Sequence, residues 1–333
     1  MESMSPGHAL AIRLESLDPW RNLAVEEYFI GRADELGPVL LLWQAERAIV
    51  IGKNQNPWQE CNLRALRQDG CQLARRSSGG GAVYHDRGNL NFSFITRRSD
   101  YDLSRSFGVV LSALARLGIP AVRTDRNSLF AGTGKISGNA FCFKRGAAMH
   151  HGTLLVDADL DRLRRYLTPV PSDIRSHAVS SVRDPVTNLR TFRKDLTVEE
   201  LSLALCEAFR NDRGNRMAIV PDGKWPDDEI RSPYRKLISW DWIYGMTPAF
   251  TIEWKRPGEG RELALQLEVD QGFVSAVSCP GADGPLAEAL GLALNGCVFS
   301  ASALMQRLRQ HPRAAAFAAF GAWADFLEGH APS

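Results

Sequence analysis

The chain has 333 residues, more than one average domain, so two domains are expected. Hydrophobic residues make up 44% and charged residues 23%, an ordinary globular balance that can bury a large core without covalent staples. A formal net charge of +2 excludes a general nucleic-acid binder, which carries a strong basic excess, so any anion site must be local.

Cys61, Cys71, Cys142, Cys206, Cys279 and Cys297 are scattered, with no Cys-x-x-Cys pair and no histidine pair at helical metal spacing. A zinc site or a disulfide framework is therefore not expected. The segment Met1 to Leu10 carries no basic-then-apolar signal pattern. No apolar run reaches the ~18 residues that span a bilayer. The expected setting is the cytoplasm, away from membranes.

Residues 9 to 14 read as a first strand. Asp18 suits a helix N-cap and Pro19 the first turn, and Leu23, Ala24 and Tyr28 then recur at helical spacing up to about Ala33. Val39 to Trp43 and Ala48 to Ile51 are apolar runs typical of buried strands. Gly52 to Trp58 reads as a polar loop, and Asn62 to Gln68 as a short helix ending at Gly70.

Two guanidinium groups, Arg75 and Arg76, then stand just before three glycines, Gly79 to Gly81. Glycine lets another molecule approach the backbone, and successive N–H groups in such a turn can cradle an anion. Arginine adds a fixed charge and a donor fork suited to phosphate or carboxylate. Ala82 to Tyr84 and Asn91 to Ile95 read as strands on either side of the turn His85-Asp86-Arg87-Gly88-Asn89. Taken alone, the stretch also reads as a Gly-rich hairpin with exposed arginines. It is not a Walker phosphate loop, because no Gly-Lys-Ser/Thr follows the glycines.

Ser104 to Leu117 forms one apolar helix face, stopped by Gly118 and Pro120. Short strands and turns fill residues 127 to 157. Within them lie Gly134-Lys135-Ile136-Ser137-Gly138-Asn139-Ala140 and His150-His151-Gly152-Thr153. Lysine is scarce in this chain, so a lysine framed by glycines stands out, although a solvated lysine at a strand start is the plainer reading. Leu160 to Leu167 is expected to be helical. Thr168 to Asn188 is polar and aperiodic, a functional loop or a plain surface excursion. Thr197 and Glu200 form a capping-box pattern opening a helix to Asn211. Pro221 to Tyr244 reads as a connector with Trp225, Trp240 and Trp242 as packing anchors. From Ala249 the alternation of Phe250 to Trp254, Leu263 to Val269 and Phe273 to Val277 suggests a small antiparallel sheet. Two or three helices follow. The domain boundary is placed near 246, giving residues 1–246 and 247–333.

Together these stretches resemble the lipoate–protein ligase A family, of the bacterial type with a C-terminal accessory domain. The matching residues are Arg75-Arg76, Gly79-Gly80-Gly81, Val83, His85-Asp86 and Gly88-Asn89, then Lys135-Ile136-Ser137-Gly138 and Ala140, then His150-His151-Gly152-Thr153-Leu154-Leu155. The match extends to Asp18-Pro19-Trp20, Asn22-Leu23-Ala24 and Glu26-Glu27, to Ile51-Gly52 and Asn54 to Trp58, and to Ser181-Val182-Arg183. Six blocks in the family's order over most of the chain make the resemblance specific.

The resemblance implies an α+β fold: a mixed-sheet catalytic domain of the biotin/lipoate ligase type with a smaller C-terminal α/β accessory domain. It implies ATP-dependent conversion of lipoate to lipoyl-AMP and pyrophosphate, then transfer of the lipoyl group to a lysine of a carrier domain. ATP and Mg²⁺ are the implied cofactors, with lipoate as substrate and no protein metal site. Lipoyl domains of 2-oxoacid dehydrogenase E2 subunits and the glycine-cleavage H protein are the implied partners, and the enzyme is expected to be a monomer. Lys135 is implied as the catalytic charge, bridging the lipoyl carboxylate and the α-phosphate. Arg76, Gly81, Ala82, Val83, Tyr84 and Lys135 are implied at ATP. Gly79, Gly80, His85, Ala140 and His151, with Lys135, are implied at lipoate, and Arg183 in a loop that covers the adenylate. The apolar lipoyl tail calls for an apolar tunnel, expected from Val83, Phe92 or Phe94, and Ala140. Movement of the accessory domain between the two half-reactions is implied as well.

One departure stands out. Many family members carry Asn-Asp shortly before the lysine, where this chain has Asn127-Ser128. A contact made by that aspartate does not carry over. The nearest rival is an octanoyl or lipoyl transferase of the same fold, which would use a cysteine nucleophile. Cys142 is the one close by in sequence, and Phe141 and Phe143 beside it suggest core. A non-catalytic binder is a further reading, and a biotin ligase is disfavoured by the absence of Gly-Arg-Gly after Arg75.

Overall fold

The structure, a computed structural model, describes residues 8–144, 146–169, 173–214, 217–223, 225–257, 262–314 and 317–331. The chain forms two compact units. Met1–Lys53, Cys71–Arg164 and Val182–Ile238 make the first, and Asn54–Gly70, Arg165–Ser181 and Ser239–Ser333 the second.

In the first unit a six-stranded sheet runs in the order Asn139–Lys144, Ala147–Leu155, Asn89–Arg97, Val39–Trp43, Ala9–Arg13, Met217–Val220. The first four strands are antiparallel neighbours and the last three parallel, so the sheet is mixed. Val39–Trp43 is buried at every position, as a strand covered on both faces requires.

Register across the sheet sorts the side chains into two rows. Phe141, His150, Phe94 and Leu40 lie in one row, and Ala140, His151, Ser93 and Leu41 in the next. Successive residues of a strand face opposite sides, so the rows face opposite ways. The first row joins the hydrophobic core, in which Phe94 and Leu40 meet Phe107, Val110, Leu205 and Phe209. Those four come from the helices Leu103–Arg116 and Val198–Asp212. The second row faces the helix Pro19–Gly31, whose Glu26 bonds to both Ser93 and His151.

The helix starts follow the caps expected from sequence. Asp18 accepts from the N–H groups of Trp20 and Arg21, Asp102 from that of Arg105, and Thr197 and Glu200 cap reciprocally. Two small sheets complete the first unit. One joins Gln72–Arg75, Arg47–Ile51 and Val83–Asp86, the other Ala121–Arg123, Leu129–Ala131 and Gly134–Ser137.

The second unit contains an antiparallel sheet of Asp173–Ser176, Phe250–Pro257, Glu262–Asp270 and Phe273–Ser278, and the helices Gly284–Leu294, Ala301–Gln310 and Ala318–His330. Trp58 anchors its core, with ring centroids 5.3 Å from Tyr244, 5.4 Å from Phe250 and 5.2 Å from Phe299. Asn56 caps the short helix Pro57–Glu60 that presents this tryptophan, so Gly52 to Trp58 is only partly loop.

The stretch Pro221 to Tyr244 is not a plain connector. It holds the helix Asp227–Leu237 with Pro233 inside it. Asp227, Asp228 and Glu229 in its first turn and Arg235 and Lys236 in its last suit the helix dipole. Tyr234 donates to Asp18 at 3.0 Å and Lys236 to Glu27 at 2.7 Å, tying it to the helix Pro19–Gly31. Trp225 packs on Phe29 at 5.6 Å, and Trp240 stacks on Tyr244 at 4.2 Å, as packing anchors.

Candidate active site

The strand Gln72–Arg75 ends at the two arginines, and both are buried. Arg75 donates through Nη1 to the carbonyls of Gly52 and Lys53, at 3.3 and 2.8 Å. Arg76 spends its fork on the glycine loop: Nη2 reaches the carbonyls of Gly79 and Gly81 at 2.6 and 2.8 Å, and Nη1 that of Val50 at 3.0 Å. Burial lowers Arg76 to about 10, against the pull of the Glu26 charge, so it stays cationic at neutral pH. A fixed positive charge thus shapes the loop from below. Gly80 has φ +89°, and a Cβ there would stand 3.0 Å from Arg76 Nη2.

Arg76 also begins a buried polar chain. Its Nε donates to Ser78 Oγ at 2.9 Å, and Ser78 Oγ lies 2.6 Å from His151 Nε2. His151 Nδ1 faces the Glu26 carboxylate at 3.3 Å. Glu26 Oε1 further accepts from Trp43 Nε1 at 3.2 Å and from the Ser93 hydroxyl. A donor assignment that closes the chain with a neutral imidazole is Arg76 N–H to Ser78, Ser78 O–H to His151, His151 Nδ1–H to Glu26. The order resembles a nucleophilic triad, yet Ser78 is 1% exposed and its oxygen takes the Arg76 N–H. It serves as a link between two buried opposite charges.

His85, one strand away on Val83–Asp86, is buried against Trp43 at 5.3 Å. Neither of its ring nitrogens has a hydrogen-bond partner among the described residues. Burial first, then the Arg76 charge and the neighbouring His151, pushes it down to about 3, so it is neutral. Two neutral ring nitrogens in a buried site leave polar capacity for a ligand.

Lys135 sits on Gly134–Ser137 and is matched by Asp184, whose Oδ2 is 3.2 Å from Nζ. The strand turns at Gly138, where three side chains converge. A Cβ at Gly138 would lie 3.8 Å from Val83 Cγ1, and 3.9 Å from both Lys135 Cε and Thr153 Oγ1. Ala140 Cβ is 3.6 Å from where a Gly80 Cβ would stand. Lys135, Val83 and Ala140 therefore gather around the glycine loop, with His151 paired beside Ala140 in register.

Other expected residues fall elsewhere. Phe92 and Phe94 do not line a ligand tunnel. They belong to the core row, ringing His150 at 5.4 and 6.0 Å, because a one-residue step on a strand reverses the face. His150 bonds through Nε2 to Asn139 Oδ1 at 2.9 Å, and burial pushes it down to about 3. It is a packing residue, and His151 alone of the pair reaches the site. The Tyr84 side chain is buried and burial raises its hydroxyl, leaving its backbone at the strand. Asp86 accepts from the Gly88 and Asp159 N–H groups at 2.8 and 2.9 Å, a turn role. Asn89 donates to Asn91 Oδ1 at 3.1 Å. Ser128 is buried and tied to Thr124, its N–H donating to Oγ1 at 3.2 Å. Arg183 is exposed. Asn54 to Trp58 build the second unit, where Gln55 donates to Ser181 Oγ at 3.0 Å.

Glu26, Ser78, Ser93 and Asp184 are site residues to which the sequence analysis gave no role. Glu26 had a signal. It lies three residues after Leu23 and three before Phe29, on the apolar face of its helix, and a carboxylate there needs a partner.

Among the described residues no three His, Cys, Asp or Glu side chains group as a metal site. None of their helices is long and apolar enough to cross a membrane.

An α+β unit in which buried arginines shape a glycine loop, with a lysine gathered beside it, is suited to an anionic ligand. The chain belongs to the lipoyl protein ligase A/B catalytic domain family, whose model matches residues 18–210. Its solved relatives place it with the lipoate–protein ligases. It is 27% identical to LipL1 of P. falciparum, solved in complex with lipoate, with 96% of this chain and 99% of that one covered and a TM-score of 0.64. It is 25% identical to the bipartite lipoate protein ligase of Thermoplasma acidophilum, described with its E2 lipoyl domain, over 72% of this chain and 96% of that one at TM-score 0.60. A lipoate-protein ligase A bound with ATP is 26% identical over 70% of this chain and 95% of that one, at TM-score 0.59.

Proposed function

We propose that this enzyme joins lipoate to protein in two steps that share one site. A lipoate carboxylate oxygen attacks the α-phosphate of ATP, the bond to the β-phosphate breaks, and lipoyl-AMP and pyrophosphate result. An acceptor lysine amine then attacks the acyl carbon, AMP leaves, and an amide forms with loss of the amine proton. The observation that carries this reading is the convergence of Lys135, Val83 and Thr153 on Gly138 beside the arginine-held glycine loop.

The first step brings two anions together, which needs preorganised positive charge. Lys135 is the charge that bridges carboxylate and α-phosphate and then holds the mixed anhydride. Gly81, Ala82, Val83 and Tyr84 form the nucleotide side, and Arg76 keeps that loop in shape rather than reaching out. Gly79, Gly80, Ala140, His85 and His151 form the lipoate side. Arg183 and its neighbours cover the adenylate and exclude water. With no grouped carboxylates among the described residues, a Mg²⁺ ion would be held chiefly by the nucleotide's phosphates. When bound it neutralises phosphate charge.

The acceptors proposed are lipoyl domains of 2-oxoacid dehydrogenase E2 subunits and the glycine-cleavage H protein, and the enzyme works as a cytoplasmic monomer. The T. acidophilum relative and its E2 lipoyl domain support the first of these. The cysteine-dependent transferase has no observation in its favour. Cys142 is buried, burial raises its thiol, and its Sγ lies 4.0 Å from the Ser77 carbonyl. The test is incubation with lipoate, ATP and a recombinant lipoyl domain, read by intact mass and AMP release. A lipoyl amide with matching AMP is expected. Modification that proceeds without ATP from an acyl carrier protein would refute the ligase.

A further inference from the structure

Lys135 is met in this structure by a carboxylate of its own chain. Its ammonium lies 3.2 Å from Asp184 Oδ2, and Arg126 holds the other oxygen at 3.1 Å. The Lys135 and Asp184 side chains are 20% and 14% exposed, so solvent screens the pair weakly. Asp184 has little freedom to drift. The Lys135 N–H donates to the Pro185 carbonyl at 2.8 Å, and the Thr187 N–H returns to the Lys135 carbonyl at 3.0 Å. This parallel bridge lays residues 184–187 along the lysine strand. Gly134 permits the approach, since a Cβ there would stand 2.6 Å from Thr187 Cβ.

We propose that Asp184 is a positioning residue that acts through Lys135 as an internal counter-anion. It holds the ammonium where the substrate carboxylate and the α-phosphate must come, and those anions displace it from Nζ as they bind. The proposal rests on the assignment of Lys135 given above. No covalent bond changes: the carboxylate gives up one cationic partner and keeps Arg126. Its fixed backbone returns it to Nζ when the anions leave. Asp184 therefore lowers affinity for anionic ligands and hastens their release, and it leaves neutral ligands untouched.

Calorimetry on the full chain tests this, with lipoate and ATP as anionic probes and lipoamide and adenosine as neutral ones. Asp184→Asn keeps the shape and removes the charge. It is expected to bind lipoate and ATP about tenfold more tightly, with lipoamide and adenosine unchanged. Asp184→Glu is expected to restore wild-type affinities. A purely structural role would weaken all four ligands alike. Unchanged or weaker binding of the anions by folded Asp184→Asn overturns the proposal while the ligase stands. Wild-type protein that binds neither lipoate nor ATP overturns the ligase assignment and the proposal with it. Should Asp184→Asn melt early, Asp184→Ala carries the same comparison with the same outcomes.

Discussion

Gly52→Ala adds one methyl group opposite the glycine loop, and the structure sets its cost. The new Cβ would lie 2.1 Å from the Gly80 carbonyl oxygen and 3.2 Å from the Gly79 carbonyl carbon. Even a tight contact of about 3.2 Å makes the oxygen retreat by roughly 1 Å. The loop is not free to do so, because Arg76 grips the carbonyls of Gly79 and Gly81 at 2.6 and 2.8 Å, and Lys53 N–H holds Ser78 O at 2.8 Å. Overpacking of this kind costs about 1–3 kcal/mol, and a stretched bond to a buried charge adds to it. A loss of ~2–3 kcal/mol lowers Tm by roughly 5–10 °C in a unit of this size. A 1 Å shift of groups that position substrate costs about 10²-fold in rate. Thermal unfolding and lipoate-dependent ATP–pyrophosphate exchange read the two effects. Gly79→Ala is the control for stability, since a Cβ there meets nothing within 4 Å. Gly52→Ala with wild-type Tm and exchange would refute the claim that arginines and close backbone contact fix this loop.

Two further outcomes follow from the same geometry. Cys142→Ala should keep ligation within about twofold, because a buried thiol with a raised pKa is a packing group, and a loss near 10²-fold would restore the transferase. Acid should destabilise the fold through His85 and His150, each pushed from 6.5 to about 3. Between those values the unfolded chain takes up protons that the folded chain refuses, so stability falls as pH drops below 6.5 and keeps falling to about 3. From pH 6.5 to 5 each histidine costs about 2 kcal/mol. Denaturant unfolding of wild type, His85→Gln and His150→Gln at pH 7 and 5 measures the slope, and substitution should flatten it. An unchanged slope would mean these rings are not buried neutral.

Local signals carried the sequence reading where neighbours in sequence are neighbours in space. The strand-turn-strand after the glycines, the Asp18 cap, the Thr197–Glu200 box and the alternation from Phe250 all depend on residues a few positions apart. What stayed hidden depends on distant pairing. Asp173–Ser176 looked aperiodic because its partner strand begins at Phe250, and the Asp184 contact depends on a bridge to Lys135. The helix Asp227–Leu237 was obscured by Pro233 and by a buried face of only Ile230 and Leu237. Adjacent His150 and His151 could not be told apart until the register sent one into the aromatic core and the other to Ser78. The arginines were legible as charge, but their inward direction was not. Arg75 and Arg76 are buried and hold backbone carbonyls, where the sequence suggested either a fork for phosphate or an exposed pair.

The most direct test of the account is lipoate-dependent ATP–pyrophosphate exchange in wild type and Lys135→Ala, each checked for wild-type melting. Exchange in the wild type that falls by about 10²-fold or more in the variant is the predicted result, as loss of a few kcal/mol of charge stabilisation requires. Exchange at the wild-type rate in Lys135→Ala would contradict the assignment of Lys135 as the charge in the first step.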